Sequence, residues 1–355
     1  MKGKGKRQVK KHAIIPIFIP HKGCPNDCVF CNQKKITAHS APVTPSDVEN
    51  TIETWLSTLE PAGVPVIEAA FFGGSFTGLP MEEQSLYLAA AKKYKDAGRI
   101  SKIHLSTRPD YINEEILDNL LRFDTDIIEL GVQSFDDRVL KLSGRGHDSA
   151  AVYRAAELIK SRGLTLVIQL MIGLPGDSLE SCIFSAEETV KILPSIARLY
   201  PTVIIKDTKL YEQYLSGDYV PLSEDEAVYR TGKMYRILDS AGIRIIRVGL
   251  KSSDIITDKD AACGGTFHPA FRQLVEGDLA RQDLEAQLAA LSLNENHRTK
   301  ADFFSNSKSF SNMVGHQGRN KKYFLEKYPH LNILYKVNNQ LQDNQFQIRI
   351  KGDKL

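Results

Sequence analysis

Between residues 14 and 250, short apolar runs alternate with amphipathic stretches, and this alternation constrains the fold more than any other feature of the chain. The apolar runs are rich in β-branched residues, which is typical of strands, whereas the stretches between them repeat apolar residues at helical spacing. The predicted strands are residues 14–20, 66–72, 102–106, 126–132, 164–172 and 202–206, and the predicted helices are 45–60, 81–97, 113–122, 148–162, 178–193 and 224–241. Six successive strand–helix units predict a parallel sheet with right-handed crossovers.

Length and composition set the number of structural units. With 355 residues, of which 42% are hydrophobic and 25% charged, the chain can bury one large core and a smaller appendage. We predict a basic tail over residues 1–13, an α/β domain over 14–250 and a C-terminal α+β domain over 251–355. No apolar run is long enough to suggest a membrane span.

Unusual residues follow every predicted strand. Because the carboxyl ends of parallel strands meet at one rim, where α/β folds bind ligands, these residues are expected to lie together. In strand order they are Cys24, Cys28 and Cys31, then Gly73 to Thr77, Ser106 to Arg108, Gly131 to Gln133, Gly173 to Gly176, and Lys206. A glycine pair alone is weak support, since glycine often serves turn geometry, but coincidence with three cysteines on one rim is stronger.

Three of the five cysteines lie within HKGCPNDCVFCNQ (residues 21–33). The odd total, and the lack of an apolar secretion segment after the basic start, lead us to expect a reduced cytoplasm, where clustered cysteines bind metal or do chemistry. Three thiolates leave one position open on a tetrahedral zinc or a four-iron cluster. His21 and His39 are poor candidates for a fourth ligand, so the spacing favours a site open to a cofactor or substrate.

The spacing Cys24-x-x-x-Cys28-x-x-Cys31, with Phe30 before the last cysteine and GGSFT further on, resembles the radical S-adenosylmethionine (SAM) superfamily. STRPDYI, ELGVQSFDDRVLKLSGRGH, GLPGDS and YPTVIIKDTKLYEQYLSGDY are similar to the catalytic subunit of Elongator, which modifies wobble uridines in transfer RNA (tRNA), and more loosely to oxygen-independent coproporphyrinogen oxidase. The resemblance covers roughly residues 14–215.

This resemblance implies an incomplete six-stranded (β/α) barrel of the radical SAM type. It also implies that the three cysteines hold a [4Fe–4S] cluster whose fourth iron binds SAM. An electron from the cluster then cleaves SAM to a 5′-deoxyadenosyl radical, which abstracts hydrogen from a substrate. The electron would come from an external donor of the flavodoxin or ferredoxin type.

The resemblance also implies individual SAM contacts. Gly73 and Gly74 would offer backbone groups to the methionine amine, and Gln133 and Arg145 would hold its carboxylate, which suits a planar guanidinium. The residues that would contact the rest of the cofactor are Phe30, Gly173 and Leu174 at the adenine and Ser106 at the ribose. Related proteins tend to carry glutamate at the position of Ser106, although a serine hydroxyl can also form a hydrogen bond there.

The C-terminal third departs from the Elongator subunit, which carries an acetyltransferase-like domain. About 105 residues follow the predicted strand 243–250, so we expect no such domain in this chain. A helix opening in 263–282 and strand-like runs at 331–337 and 345–350 instead resemble the short α+β domain of uncharacterised bacterial radical-SAM proteins. Cys182 and Cys263 have no nearby cysteine partner and are expected to be buried or idle, and His268 is expected to start a helix.

We therefore predict a cytoplasmic radical-SAM enzyme that modifies tRNA or another RNA. Lys206, Asp207 and Tyr211 are the candidates for substrate contact, and the cations among the first twelve residues, together with Arg319, Lys321 and Lys322, are candidates for phosphate contact. The alternatives are radical chemistry on a small molecule, a zinc-stapled nucleic-acid binder without chemistry, and an inactive SAM-binding scaffold. The zinc binder would need a fourth ligand and would have no use for the glycine-rich rim.

Overall fold

The computed structural model describes residues 10–19, 24, 28–32, 43–250, 262–291 and 297–351. Within them the strands are β1 (His12–Ile19), β2 (Val66–Gly73), β3 (Lys102–Thr107), β4 (Ile127–Gln133), β5 (Thr165–Ile172), β6 (Ile196–Pro201), β7 (Val203–Ile205), β8 (Arg244–Val248), β9 (Ala262–Gly265), β10 (Thr299–Ser305), β11 (Leu331–Val337) and β12 (Gln347–Lys351). Strands β1 to β6 and β8 form one parallel sheet in chain order. Each crossover thus leads to the adjacent strand, and the predicted α/β class is confirmed.

Helices connect the strands of this sheet and continue into the C-terminal region. They are α1 (Pro45–Leu59), α2 (Met81–Asp96), α3 (Glu114–Arg122), α4 (Asp137–Leu142), α5 (Ser149–Ser161), α6 (Leu179–Ile192), α7 (Lys209–Ser216), α8 (Glu224–Ser240), α9 (Phe271–Ala290), α10 (Phe310–Val314) and α11 (Arg319–Lys327). All six predicted helices are present. Their starts follow from side-chain caps, for example Asn113 and Asp148, whose oxygens accept a hydrogen bond from a first-turn amide.

The sixth strand was predicted in the wrong place. The sheet uses Ile196–Pro201, and the predicted segment 202–206 instead contains β7, which pairs antiparallel with β9. Both runs are mostly apolar and buried. The first contains the charged residue Arg198, so in the sequence it looks less suitable as a buried strand than the second. Lys206 consequently follows β7 rather than a strand of the sheet. The predicted strand 243–250 is present as β8 and joins the sheet, which therefore has seven strands instead of six.

The two faces of the sheet differ in chemistry. One face packs Ala69, Phe71, Ile103 and Leu105 against the helices in a large apolar core. Because side chains alternate along a strand, the neighbouring residues point to the other face, which we call the inner face. The inner face carries Glu68, His104, Glu129 and Arg198, all of them buried.

These inner-face charges compensate one another. His104 lies between two carboxylates, with Nδ1 3.6 Å from Glu68 Oε2 and Nε2 3.5 Å from Glu129 Oε2, and Arg198 Nη1 lies 3.2 Å from the same Glu129 oxygen. Burial alone would raise the pKa of Glu129, but Arg198 and His104 hold it below its ordinary value. Burial alone would lower the pKa of His104, but Glu129 and Glu68 raise it. The charged forms are therefore favoured in the folded protein.

A second, smaller core lies in the C-terminal region. Strands β11, β10 and β12 form a three-stranded sheet, and Ala301 and Phe303 on one of its faces pack against Leu284 and Leu288 of α9. The first half of the same helix contributes Phe271, among others, to the large core. One helix thus joins the two cores. The domain boundaries at residues 13 and 250 stay predictions.

Glu129→Gln tests the inner-face network. The substitution leaves the positive charges of Arg198 and His104 buried without their shared partner, and breaking a buried pair in this way costs about 3–5 kcal/mol. Because the folded pKa of Glu129 is lowered, its contribution is present above the ordinary carboxyl pKa of 4.5 and is lost as pH falls through the folded value. Urea unfolding should therefore show a large deficit at neutral pH that shrinks in acid. Equal deficits at both pH values would contradict this account.

Candidate functional site

The carboxyl ends of the sheet strands surround a cavity of about 610 Å³. The three clustered cysteines, Cys24, Cys28 and Cys31, all line it. The same wall contains six further residues predicted from the sequence, namely Phe30, Gly73, Gly74, Ser106, Gln133 and Arg145. The strand ends therefore meet on one rim as expected, and these nine residues lie together. The role of each residue stays a prediction.

The loop that carries Cys28 and Cys31 is fixed from two sides. The Val29 amide donates to Ser143 O at 3.1 Å, and Val29 O accepts from the Leu210 amide at 2.7 Å. The Val29 side chain is buried in a small cluster with Ile204, Leu210 and Tyr219. The thiol loop is thus attached both to the end of α4 and to the segment that starts α7.

Two arginines lie behind the thiols. Arg145 Nη1 donates to Cys28 Sγ at 3.2 Å, and its Nη2 donates to Gly131 O. Arg108 is held by Asp110, with Nε 2.9 Å from Oδ1 and Nη2 2.8 Å from Oδ2. Both guanidinium groups are buried, and among the described residues Arg145 Nε and Arg108 Nη1 have no hydrogen-bond acceptor. Buried donors of this kind indicate a place for an anionic group.

The electrostatics of the cavity favour bound negative charge. Burial raises the pKa of the Cys24 thiol, and the positive charge of Arg108 partly opposes this. Burial alone would lower the pKa of Arg108, but Asp110 and the two thiols Cys28 and Cys24 hold it above its ordinary value. Burial and the charge of Arg145 lower the pKa of His147 to about 3, so this imidazole is neutral at physiological pH.

Two glycines on the rim are required for different reasons. A side chain at Gly131 would enter the cavity wall, because its Cβ would lie 3.1 Å from Gln133 Nε2 and 3.6 Å from Arg145 Nη2. At Gly73, a Cβ would lie 2.3 Å from Ile19 O of the neighbouring strand, and the backbone has φ +118. The strand pairing alone therefore explains Gly73, whereas Gly131 is small because of the groups that surround the cavity.

Gln133 combines backbone strain with a fixed side chain. Its φ is +70, which is uncommon for a residue other than glycine, and it follows a register shift in the pairing of β4 with β5. Gln169 Nε2 donates to Gln133 Oε1 at 3.2 Å. Strained residues of this type persist where the surroundings hold them, and they are concentrated at binding sites.

Four of the predicted site residues do not line this cavity. Gly173 and Leu174 line a separate cavity of about 300 Å³, where the turn is held by Asp177, which accepts from the Gly173 amide, and by Tyr219, which donates to Gly173 O. Lys206 and Tyr211 are in neither lining, whereas Asp207, the third candidate for substrate contact, lines the cavity of the thiols together with Thr208, Lys209 and Glu212. Their proposed roles are not tested by this placement.

Some residues that line the cavity were not predicted from the sequence to be site residues. Gln169 gave a usable signal, because it is a polar residue inside the apolar run 164–172. Arg108 was part of a strand end that had been noted, but no role was assigned to it. Lys209 and Glu212 had no local signal, since their position depends on how α7 packs against the thiol loop.

The remaining cysteines and His268 lie outside the cavity wall. Cys182 is buried and donates to Asp177, and burial raises the pKa of its thiol, so it matches the expected idle cysteine. Cys263 lies half-buried in β9. His268 accepts a hydrogen bond from the Ala270 amide at 3.0 Å just before α9, as expected of a helix-start histidine. In the described part of the chain, no three His, Cys, Asp or Glu side chains are gathered as a metal site.

Comparisons with known proteins identify the family. The model of the Radical SAM superfamily matches residues 18–187, and the model of the Radical_SAM C-terminal domain matches residues 194–281. A tRNA uridine(34) acetyltransferase of Methanocaldococcus infernus is 27% identical over 260 residues, which cover 62% of this chain and 49% of the relative. Elongator complex protein 3 of Schizosaccharomyces pombe is 30% identical over 176 residues, covering 44% and 32%.

A solved structure shows the same fold. The archaeal Elp3 of Methanocaldococcus infernus superposes with a TM-score of 0.62 at 23% identity, over 78% of this chain and 64% of that chain. The predictions of an incomplete radical-SAM barrel with a C-terminal domain, and of a radical-SAM enzyme at the level of the family, are confirmed. The chain spans 49% and 32% of these two curated relatives, so their full activities do not transfer directly.

Gly131→Val tests the cavity wall. The added side chain would displace Gln133 and Arg145, so we expect SAM affinity to fall at least about tenfold, which corresponds to about 1.4 kcal/mol. Gly277→Ala in α9 is the control, because a Cβ there meets only ordinary contacts at 3.6 Å. Calorimetric titration of SAM into anaerobically reconstituted protein measures both. Unchanged SAM affinity in a folded Gly131→Val variant would exclude this wall as the cofactor site.

Proposed function

Because the chain belongs to the radical SAM superfamily, we propose that it uses a [4Fe–4S] cluster and SAM to modify tRNA or another RNA. The observation that carries the chemistry is the cavity in which three thiols lie beside two buried guanidinium groups with unused donors. The observation that favours RNA is the relatives whose names describe a tRNA uridine(34) acetyltransferase and Elongator complex protein 3.

The residues of the cavity fit the proposed cofactors. Cys24, Cys28 and Cys31 would hold the cluster, and the unpaired N–H groups of Arg145 and Arg108 suit anions beside it. When bound, the cluster supplies the electron that cleaves SAM to a 5′-deoxyadenosyl radical for hydrogen abstraction. No helix in the described residues is long and apolar enough to cross a membrane; the cytoplasmic location and the flavodoxin or ferredoxin donor stay proposals.

The protein's own groups would orient the cofactor. Arg145 is anchored to Gly131 O and Cys28, and the Gln133 amide is held by Gln169, so neither side chain has to be ordered when SAM binds. Gly73 and Gly74 complete the proposed methionine contacts, and Phe30 and Ser106 lie on the same wall for the nucleoside. The wall from Asp207 to Glu212 faces the space left for a substrate.

Cysteine substitution tests the cluster. Anaerobic reconstitution of the wild type should give about four irons per chain and a brown chromophore. Cys24→Ala, Cys28→Ala and Cys31→Ala should each abolish it, because each removes one of three protein ligands. Cys182→Ala and Cys263→Ala are matched controls that should retain the iron. Stoichiometric zinc without iron in the wild type would support the zinc-stapled alternative instead.

Arg145→Lys tests the proposed carboxylate contact. Lysine keeps the charge but loses the planar, two-donor geometry, so 5′-deoxyadenosine formation under dithionite should slow about tenfold at low SAM and recover at high SAM. Arg154→Lys on the exposed side of α5 is the control and should match the wild type. The iron content is measured in every sample. If wild-type protein with a full cluster forms no 5′-deoxyadenosine, the proposed radical chemistry is wrong.

A further inference from the structure

In the described part of the chain, one face of the small C-terminal sheet is not packed against helices, and we call it the outer sheet face. Residues alternate along the strands, so the neighbours of buried Ala301 and Phe303 point to this face. Cross-strand pairing arranges it in three rows. They are Asn332, Lys300 and Lys351; Leu334, Asp302 and Arg349; and Lys336, Phe304 and Gln347.

The outer sheet face carries four cations and one acid. Lys300, Arg349 and Lys351 are exposed, and the Lys336 side chain is 39% exposed. The only acid of the three rows, Asp302, is buried and already paired with Lys336 at 2.6 Å and Lys351 at 3.4 Å. The face therefore has a net charge of +3 with its single carboxylate fully engaged.

The pairing register places like charges against each other. Lys300 and Lys351 are direct partners on antiparallel strands and point to the same face. Like charges in directly opposite positions are destabilising, and of the two only Lys351 has a carboxylate partner among the described residues, Asp302 at 3.4 Å. A polyanion bound across the rows would turn the repulsion into attraction.

The charge is concentrated in this region of the chain. Residues 297–351 contain ten lysines and arginines and three acids, a net charge of +7, whereas the whole chain has +3. The rest of the chain is therefore net negative. An excess of positive charge of this size in a small region is typical of domains that bind nucleic-acid backbone, and four of the ten cations lie on the outer sheet face.

The basic cluster predicted from the sequence lies elsewhere and is already engaged. Arg319 pairs with Glu224 and Asp225, and Lys321 lies over the Tyr335 ring at 5.1 Å. Tyr335 alternates with Lys336 along β11, so this cluster lies on the opposite side of the sheet. Of the cations predicted in the N-terminal tail, Lys2, Lys4, Lys6 and Arg7 lie outside the described residues. The outer sheet face is therefore the better-supported phosphate surface.

One cation of the face is held in place in advance. The Arg349 guanidinium lies over the Phe304 ring, 5.5 Å from its centroid, which orients the charge before any ligand arrives. From strand and residue spacings, the four cations extend over an area of about 10 by 14 Å. An extended chain of phosphates can contact several of them at once, whereas a single small anion cannot.

We propose that the outer sheet face binds the phosphate backbone of the RNA on which the enzyme acts. This rests on the proposed function, because it assigns a docking surface to the same substrate. Helix α9 packs in both cores and so connects this sheet to the barrel. RNA held here would be retained at the enzyme independently of contacts at the cavity.

The test is a charge-removal variant of the full chain. Lys300→Gln, Arg349→Gln and Lys351→Gln are combined, while Lys336 is kept so that buried Asp302 retains a partner. Lys321→Gln with Lys322→Gln is the control on the opposite side of the sheet. Fluorescence anisotropy with labelled unfractionated tRNA and with an oligouridine RNA is measured over a series of salt concentrations, with polyglutamate as competitor.

The triple variant should bind both RNAs at least about tenfold more weakly at moderate salt, and the slope of log K against log salt should fall by about two for three lost phosphate contacts. The control should stay within about twofold of the wild type. The rate of 5′-deoxyadenosine formation without RNA should be equal in all three proteins.

Unchanged tRNA binding by the folded triple variant overturns the docking surface and leaves the proposed function standing. Displacement of RNA by polyglutamate at equal charge also overturns it, in favour of an acidic protein partner. If the wild type binds no RNA, both the docking surface and the proposal of an RNA substrate are wrong. The proposed SAM cleavage is then tested separately by 5′-deoxyadenosine formation.

Discussion

Compensation of charge on the inner face of the sheet is the constraint on which the rest of the structure depends. A seven-stranded sheet covered by helices on one side leaves a second face that is buried but not apolar. In the lower part of that face, each charge has a partner, as Glu129 has in Arg198 and His104. At the carboxyl ends Arg145 differs, because no carboxylate lies within salt-bridge distance of it among the described residues, and its guanidinium is bonded instead to Cys28 Sγ and Gly131 O. A buried positive charge without a carboxylate partner marks the ligand site more clearly than the size of the cavity does.

The thiol loop depends on an element that is distant in sequence. Val29 is bonded to Leu210 and shares an apolar cluster with it, and Asn32 Nδ2 donates to Asp207 O at 3.2 Å. The segment that positions two of the cysteines is therefore a segment that also lines the cavity. A change in how α7 packs would alter both the positions of these thiols and the shape of the cavity.

The sequence predicted most of the fold because its signals are local. Apolar runs rich in β-branched residues defined the first five strands, and apolar residues at helical spacing defined the six helices, with small errors at their ends. The sixth strand failed because residues 196–205 are nearly continuously apolar, and only the sheet pairing decides which half belongs to it. That error carried over to Lys206 and Tyr211, whose assumed position depended on a strand ending at residue 206. The rim residues after β1 to β4 did not depend on it and were brought together as predicted.

Helix α9 connects the cationic C-terminal sheet to the barrel. Helix α9 contains 20 residues and is therefore about 30 Å long, and its two halves lie in different cores. Its apolar side chains must serve both cores, so the sheet it carries cannot move freely relative to the barrel. The match to the Radical_SAM C-terminal domain ends at residue 281, within this helix. The cationic outer sheet face therefore lies beyond the part of the chain that the family model matches, yet it is fixed to the barrel by an element that the model includes.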